Sequence, residues 1–250
     1  MDLNIENIND NEASFCYLWS RTHQKINCVE LFSNDKLGDD YFFNRINVRC
    51  PCNDLAEILK CIKNKHTVDI DTFYVHLIRD ANSFKLSLPK FGTMKVLGID
   101  VNDYVTDDIN EIEIKEVHKE DIEEWVDIFC NSFDSLDSKN EVASIITKHL
   151  NEFILLVAHY ISNKRTQSAG CCLLFEKNNI IGLYCLGTIQ QFRKRGIARQ
   201  LIANAIKTAT DKGYSTLVVQ TLTEERYDEF YKELGFRTIY EKELLILDVN

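Results

Sequence analysis

Between residues 190 and 199 the chain reads Gln190-Gln191-Phe192-Arg193-Lys194-Arg195-Gly196-Ile197-Ala198-Arg199. Four positive side chains fall within seven residues, around one glycine. A helix that opens at such a place presents backbone N–H groups without intrahelical partners and the positive end of its dipole. Glycine and a small alanine there let a phosphate come close to the backbone. The chemistry such a segment can do is anion binding, and its context decides whether it does. A solvated cationic face around a turn glycine explains the residues alone equally well. Here, however, the segment follows an apolar strand and opens an amphipathic helix, which is the setting a diphosphate site requires. It carries neither the GxGxxG of a dinucleotide fold nor the GK[ST] of a P-loop, so nicotinamide dinucleotides and nucleoside triphosphates are disfavoured.

The cationic cluster runs against the charge of the chain. Its 250 residues hold 39 acidic and 29 basic side chains, for a net charge of −10. The long-range field repels polyanions, so no nucleic-acid partner is expected. No apolar stretch approaches bilayer length and the first residues lack a basic region followed by an apolar run, so no membrane partner is expected and the localisation read is cytoplasmic. Nine cysteines, at 16, 28, 50, 52, 61, 130, 171, 172 and 185, read as free thiols in a reducing compartment. Cys50-Pro51-Cys52 with Cys61 and His66 lacks paired CxxC spacing, so no metal is expected.

Elements must carry the segment. Ile112 to Val117 alternates and reads as a half-buried strand; Asp121 to Phe133 and Val142 to Leu150 read as helices. Phe153 to Ile161, Ala169 to Phe175 and Ile180 to Ile189 read as strands, with Lys177-Asn178-Asn179 as a hairpin turn. Ile197, Leu201, Ile202, Ala205, Ile206 and Ala209 form a helical stripe ended at Gly213. A strand at Ser215 to Thr221 follows, then a helix with Glu224 and Glu225 in its first turn, then one or two strands over Phe236 to Leu247. The expected fold is α/β of the α+β type, a mixed, largely antiparallel central sheet flanked by helices over 111–250, preceded by a smaller α/β domain over 1–105. In the first part Leu55 to Ile62 reads as a helix and Thr72 to Ile78 as a strand.

Arg193 to Ala198 satisfies every fixed position of [Gln/Arg]-x-x-Gly-x-[Gly/Ala], and Tyr231-Lys232-Glu233-Leu234-Gly235-Phe236 matches a Tyr-x-x-Leu-Gly-Phe ending. In both motifs and their order the chain resembles the GNAT superfamily of acyl-CoA-dependent N-acyltransferases. The resemblance implies acetyl-CoA as acyl donor, with its pyrophosphate on the backbone N–H groups from Arg195 through Gly196 and Ile197 to Ala198, and charge from Arg193, Lys194 and Arg199. It implies that Thr188, Ile189 and Gln190 border the pantetheine arm, with the Ile189 amide aimed at the thioester carbonyl. It also implies that Tyr231 protonates the departing thiolate, since a phenol of pKa about 10 holds its proton at neutral pH and can pass it to a thiolate of pKa about 8.5. From periodicity alone Tyr231 is a core aromatic with Tyr227, Phe230 and Leu234.

Two departures stand out. Glu224 occupies the position where many relatives have asparagine, and Tyr227 replaces a small residue. The strand Ile180 to Ile189 carries no carboxylate, so no proton acceptor can be named from it. Asp40-Tyr41-Phe42-Phe43-Asn44-Arg45-Ile46 looks like a segment of proteins that carry a degenerate GNAT-like unit ahead of an active one. The bland account puts Phe42 and Phe43 in the core and Asn44 and Arg45 in a turn or on the surface. The activity implied is acetyl transfer to a primary amine of a small molecule or peptide, by a monomer or homodimer. The alternative is a catalytically silent acyl-CoA sensor or scaffold.

Overall fold

The computed structural model describes residues 4–48, 54–65, 70–78, 86–104 and 111–249. In chain order the elements are α1 (Ile5–Trp19), β1 (Thr22–Ile26), β2 (Val29–Ser33), β3 (Arg45–Val48), α2 (Leu55–Lys65), β4 (Thr72–Ile78), β5 (Lys90–Asp100), β6 (Ile112–Glu116), α3 (Ile122–Ser132), α4 (Lys139–Lys148), β7 (Phe153–Ser162), β8 (Arg165–Lys177), β9 (Ile180–Thr188), α5 (Ile197–Asp211), β10 (Thr216–Leu222), α6 (Tyr227–Glu233) and β11 (Arg237–Asp248). The elements expected from Ile112 onward are present within a few residues. The region beyond Phe236 is one long strand, because its apolar positions alternate without a turn residue.

The chain packs as two compact units, and they are interleaved. One comprises Met1–Glu12, Gly98–Val219 and Lys232–Arg237; the other Ala13–Leu97, Gln220–Tyr231 and Thr238–Asn250. Of the break read near residues 100–110, residues 105–110 lie outside the described residues. Long-range pairing rather than sequence proximity draws the division: the start of α1 belongs with the later strands, and β11 with the early ones.

In the first unit the strands run in the order β10-β9-β8-β7-β6. β9 pairs parallel with β10, and the β9–β8, β8–β7 and β7–β6 pairs are antiparallel. Asn178 and Asn179 both take positive φ, 51° and 60°, which suits the tight turn joining β8 to β9. Asn11 of α1 secures that hairpin. Its Nδ2 donates to the carbonyls of Phe175 and Ile180 at 3.1 and 3.0 Å, and its Oδ1 accepts from the Tyr184 hydroxyl at 2.7 Å. Trp125 of α3, fully buried, donates its indole N–H to the Cys172 carbonyl at 3.0 Å. Such satisfied buried polar groups fix one arrangement of helix on sheet.

In the second unit the order is β1-β2-β3-β4-β11-β5. β4 pairs with β11 from Thr72 opposite Asp248 to Ile78 opposite Lys242. Ile58, Leu59 and Ile62 of α2 join Phe73, Val75, Leu245 and Leu247 in one core cluster. Phe43 is buried as expected, but Asn44 and Arg45 are not at the surface: both are wholly buried. Asn44 earns its place through hydrogen bonds, accepting from the Asn34 amide at 2.7 Å and donating to the Gly38 carbonyl. The Arg45 guanidinium lies 4.9 Å from the Phe42 ring centroid and 5.8 Å from that of Phe32, so aromatic faces replace part of its hydration.

The thiol reading also needs correction. Cys16, Cys61, Cys130, Cys171, Cys172 and Cys185 form no disulfide, but Cys28 is disulfide-bonded. Cys50, Cys52 and His66 lie outside the described residues.

Candidate functional site

The segment at Arg193–Arg199 sits in the first unit, between the end of β9 and the start of α5. β9 feeds a 3-10 turn at Gln190–Phe192, and the chain then winds through Lys194 and Gly196, at φ 63° and 84°. The second of these is left-handed, the conformation for which glycine has no steric penalty. The first helical hydrogen bond of α5 runs from the Gln200 amide to the Gly196 carbonyl at 3.0 Å. No side chain caps this end, so the amides of Ile197, Ala198 and Arg199 lack intrahelical partners and point out of a helix of 15 residues.

One glycine seats that helix and a second seats the end of α3. A Cβ on Gly170 would lie 2.6 Å from Cγ2 of Ile197 and 2.8 Å from the Gly187 carbonyl; one on Gly187 would lie 2.7 Å from Cβ of Ser132 and 2.9 Å from the Phe133 ring. Side chains at these positions would push the first turn of α5 off β8 and the end of α3 off β9. Sequence reasoning missed Gly170, for which the signal was a glycine inside an apolar strand.

The four cations separate into two kinds. Arg193 donates from Nε to the Thr188 carbonyl at 3.2 Å and from a terminal nitrogen to the Ser132 carbonyl at 3.3 Å. It ties the loop to the ends of β9 and α3. The Arg195 guanidinium lies 5.0 Å from the Tyr160 ring centroid and 5.9 Å from that of Phe192. Both aromatics thus steer the charge while leaving its donors free. Lys194 and Arg199 are exposed, and no ion pair holds either among the described residues.

The end of β9 is irregular. Cys185 takes φ 53°, and the pairing steps from Leu173 opposite Tyr184 to Cys171 opposite Gly187, a β-bulge. The Cys171 thiol contacts the Cys185 carbonyl at 3.8 Å. Burial first, then the neighbouring Cys185 and Cys172, pushes the Cys171 thiol well up, so it stays protonated and can donate. Beyond the bulge the Ile189 amide donates to the Ala169 carbonyl at 2.9 Å. That donor is committed to the ladder in this structure. Because amides alternate in direction along a strand, Thr188 turns its N–H to the opposite edge, past the last β9–β10 pair at Leu183 and Val219.

One carboxylate of this unit has a built environment. Glu124 accepts from the His159 imidazole at 2.8 Å and from the Ser168 hydroxyl. Partial burial raises its pKa, but the bonds from Ser168 and His159 and the charge of Lys115 outweigh this and hold it below the usual carboxylate range.

Tyr231 lies in the second unit, on α6, and is 7% exposed. The turn before α6 explains Glu224. Both its carboxylate oxygens face the Thr93 amide, at 3.2 and 3.3 Å, and a Cβ on Gly92 would come 2.9 Å from one of them. Glu224 therefore docks on β5. Asp228, in the first turn of α6, pairs with Lys95 of β5 at 2.6 Å, with side chains 9% and 17% exposed. Tyr227 is 55% exposed and outside the core. No helix is long and apolar enough to cross a membrane among the described residues.

Residues 152–238 match the family model of the acetyltransferase (GNAT) domain. An uncharacterized N-acetyltransferase of Chlorobaculum tepidum is 28% identical over 106 residues, covering 42% of this chain; the chain spans 61% of that relative's length. Among solved structures, a functionally unknown conserved protein of Staphylococcus epidermidis superposes with a TM-score of 0.72 at 13% identity, covering 100% of this chain and 98% of that one. A GCN5-related N-acetyltransferase of Kribbella flavida gives 0.69 at 14% identity, covering 97% and 95%. At these identities the likeness is one of fold.

Proposed function

We propose, from the match of residues 152–238 to the acetyltransferase (GNAT) domain, that the chain transfers an acetyl group from acetyl-CoA to a primary amine by direct attack. The observation that carries the reading is the head of α5: an uncapped helix end behind a left-handed glycine, with Lys194 and Arg199 exposed beside it. In this reading the pyrophosphate lies on the amides of Ile197 and Ala198, with Gly196 leaving room for its oxygens. Lys194, Arg195 and Arg199 supply charge around it. Arg193 holds the loop in shape.

The thioester carbonyl takes the Thr188 amide rather than that of Ile189, whose hydrogen already goes to Ala169. A donor aimed at the oxygen where charge develops lowers the barrier without reorganisation at the moment of reaction. The neutral amine nitrogen attacks the acyl carbon and gives up a proton to water, the carbon–sulfur bond breaks, and Tyr231 gives its phenolic proton to the thiolate and regains one from solvent.

Calorimetric titration of acetyl-CoA into the wild-type chain and into Gly196→Glu tests the reading. The expected result is micromolar binding that the substitution abolishes, because a carboxylate then occupies the anion's place. Absence of binding to the wild-type chain rejects it.

A further inference from the structure

Arg195 is held more closely than a contribution of general charge requires. His159 and Tyr160, adjacent on β7, take opposite faces of the sheet: His159 reaches Glu124 of α3 at 2.8 Å, and Tyr160 reaches the turn before α5. There the Tyr160 ring lies 5.8 Å from that of the buried Phe192, and the Arg195 guanidinium lies over both, 5.0 and 5.9 Å from their centroids. Rings take the face of a planar guanidinium and leave the N–H groups along its edge, whose fork matches two phosphate oxygens. Arg195 is exposed, and among the described residues no hydrogen bond or ion pair takes those donors. Arg193, by contrast, commits its donors to the carbonyls of Thr188 and Ser132. Because β8 separates β7 from β9, the ring under Arg195 stands two strands, about 10 Å, from β9, on the side away from β10.

Resting on the transferase reading, we propose that Tyr160 positions Arg195 to bind the 3′-phosphate of acetyl-CoA, and that the pair selects coenzyme A thioesters over thioesters that lack this group. In that reading the cofactor is anchored at its middle, by the pyrophosphate at the head of α5. Its thioester arm leaves along the edge of β9 that faces β10, where Thr188 turns its amide. Its nucleoside leaves from the other end of the pyrophosphate, and the uncommitted donors on the β7 side are those of Arg195. A phosphate monoester carries about −1.5 to −2 charge at pH 7, so a bidentate guanidinium gains more from it than from a diphosphate oxygen already shared with helix amides. The charge of Arg195 still adds to the field at the pyrophosphate; its hydrogen bonds go to the 3′-phosphate. Tyr160 acts by holding the long side chain over its ring before the cofactor arrives, so that less freedom is lost on binding.

The test is calorimetric titration of the whole chain with acetyl-CoA and with acetyl-3′-dephospho-CoA. The wild type is expected to bind acetyl-CoA about 10-fold or more tightly than the dephospho form, the scale of hydrogen bonds to charged groups, and added salt narrows the preference. Arg195→Ala loses most of that preference and Tyr160→Leu a large part of it, whereas Tyr160→Phe, which keeps the ring, retains it. A residue that only packs would weaken both thioesters together and leave their ratio alone, so the ratio is the readout. Binding of the dephospho form also reports that each variant is folded. Equal binding of the two thioesters by the wild type, or a preference that survives Arg195→Ala, overturns the assignment and leaves the transferase reading standing. A preference that Arg195→Ala removes and Tyr160→Leu does not overturns the positioning role of Tyr160. Binding of neither thioester by the wild type overturns the transferase reading itself.

Discussion

Two helices of this molecule begin in nearly the same way and end up chemically opposite. Before α5 the chain leaves β9, makes the 3-10 turn Gln190–Phe192 and reaches a left-handed residue, Gly196. Before α6 it leaves β10, makes the 3-10 turn Thr223–Glu225 and reaches a left-handed residue, Arg226 at φ 59°. At α5 the residues around the turn are cations and the helix end is uncapped. At α6 the turn and first helical positions carry Glu224, Glu225, Asp228 and Glu229, so the partial positive charge of that end is already answered from within the chain. The same backbone device is open to an external anion in one place and closed in the other. Side-chain charge and the glycine decide which.

The seats of the two helices differ as well, and breaking them should separate them most sharply. α6 is held by the Lys95–Asp228 pair at 2.6 Å. Lys95→Met removes this one partner of the Asp228 carboxylate in a largely buried place, and a loss of about 1–3 kcal/mol is expected, read as a lowered urea midpoint. α5 is held by close packing on Gly170. Gly170→Ala places a methyl 2.6 Å from Ile197, and overpacking of this kind costs about 1–3 kcal/mol. Acetyl-CoA affinity should fall with it, because the turn displaced is the one that presents the amides. An equal stability loss with intact affinity would mean that α5 shifts as a rigid body.

The left-handed residues give a smaller, mirrored pair of effects. Gly196→Ala forces a Cβ into a conformation that disfavours it, a cost of about 1–2 kcal/mol. Arg226→Gly should do the reverse, raising the melting temperature slightly at a position where the present side chain carries the strain. If both substitutions lowered stability alike, the two turns would not be equivalent backbones.

The α5 turn could be found from the sequence because everything it needs is local: an apolar strand, a glycine, four cations and a helical stripe fall within residues 180–209. The α6 turn was legible as a charged helix start, but what Glu224 does there was not. Its partner, Thr93, is 131 positions away, and no periodicity reports a contact of that range. The same limit hid the division into units, since Asn11 reaches Phe175 and Ile180 across 164 and 169 positions. α1 itself was missed because Asn4-Ile5-Glu6-Asn7-Ile8-Asn9-Asp10-Asn11 is rich in residues that favour caps and turns; tertiary burial of Ile8, Phe15 and Trp19 overrides that preference. Arg45 misled for the opposite reason, a charged residue read as exposed where aromatic rings take it in. The engagement of the Ile189 amide depends on strand register beyond a bulge, and a bulge leaves little mark in sequence.

The smallest effects concern two carboxylates, one in each unit, whose protons are held in opposite senses. Glu124 is lowered by Ser168, His159 and Lys115 against the opposing pull of burial, while Glu225 is raised by burial and by Glu224. A carboxylate lowered in the folded state contributes stability above its unfolded pKa and loses it as pH falls through the folded value. A raised one contributes below its unfolded pKa and loses that as pH rises through the folded value. On acidification Glu225 therefore takes its proton first, to the benefit of the fold, and Glu124 last, to its cost. Stability measured by urea unfolding across the acid range should show Ser168→Ala losing stability near neutral pH, with the difference from wild type closing as pH falls, because removing a hydroxyl that donates to the carboxylate moves Glu124 back toward the ordinary range. Glu225→Gln should instead gain a little stability near neutral pH, where the wild-type side chain is charged beside Glu224, and none at low pH. Identical pH profiles for the two variants would mean that the carboxylates titrate alike, and the contrast between the units would then rest on the helix ends alone.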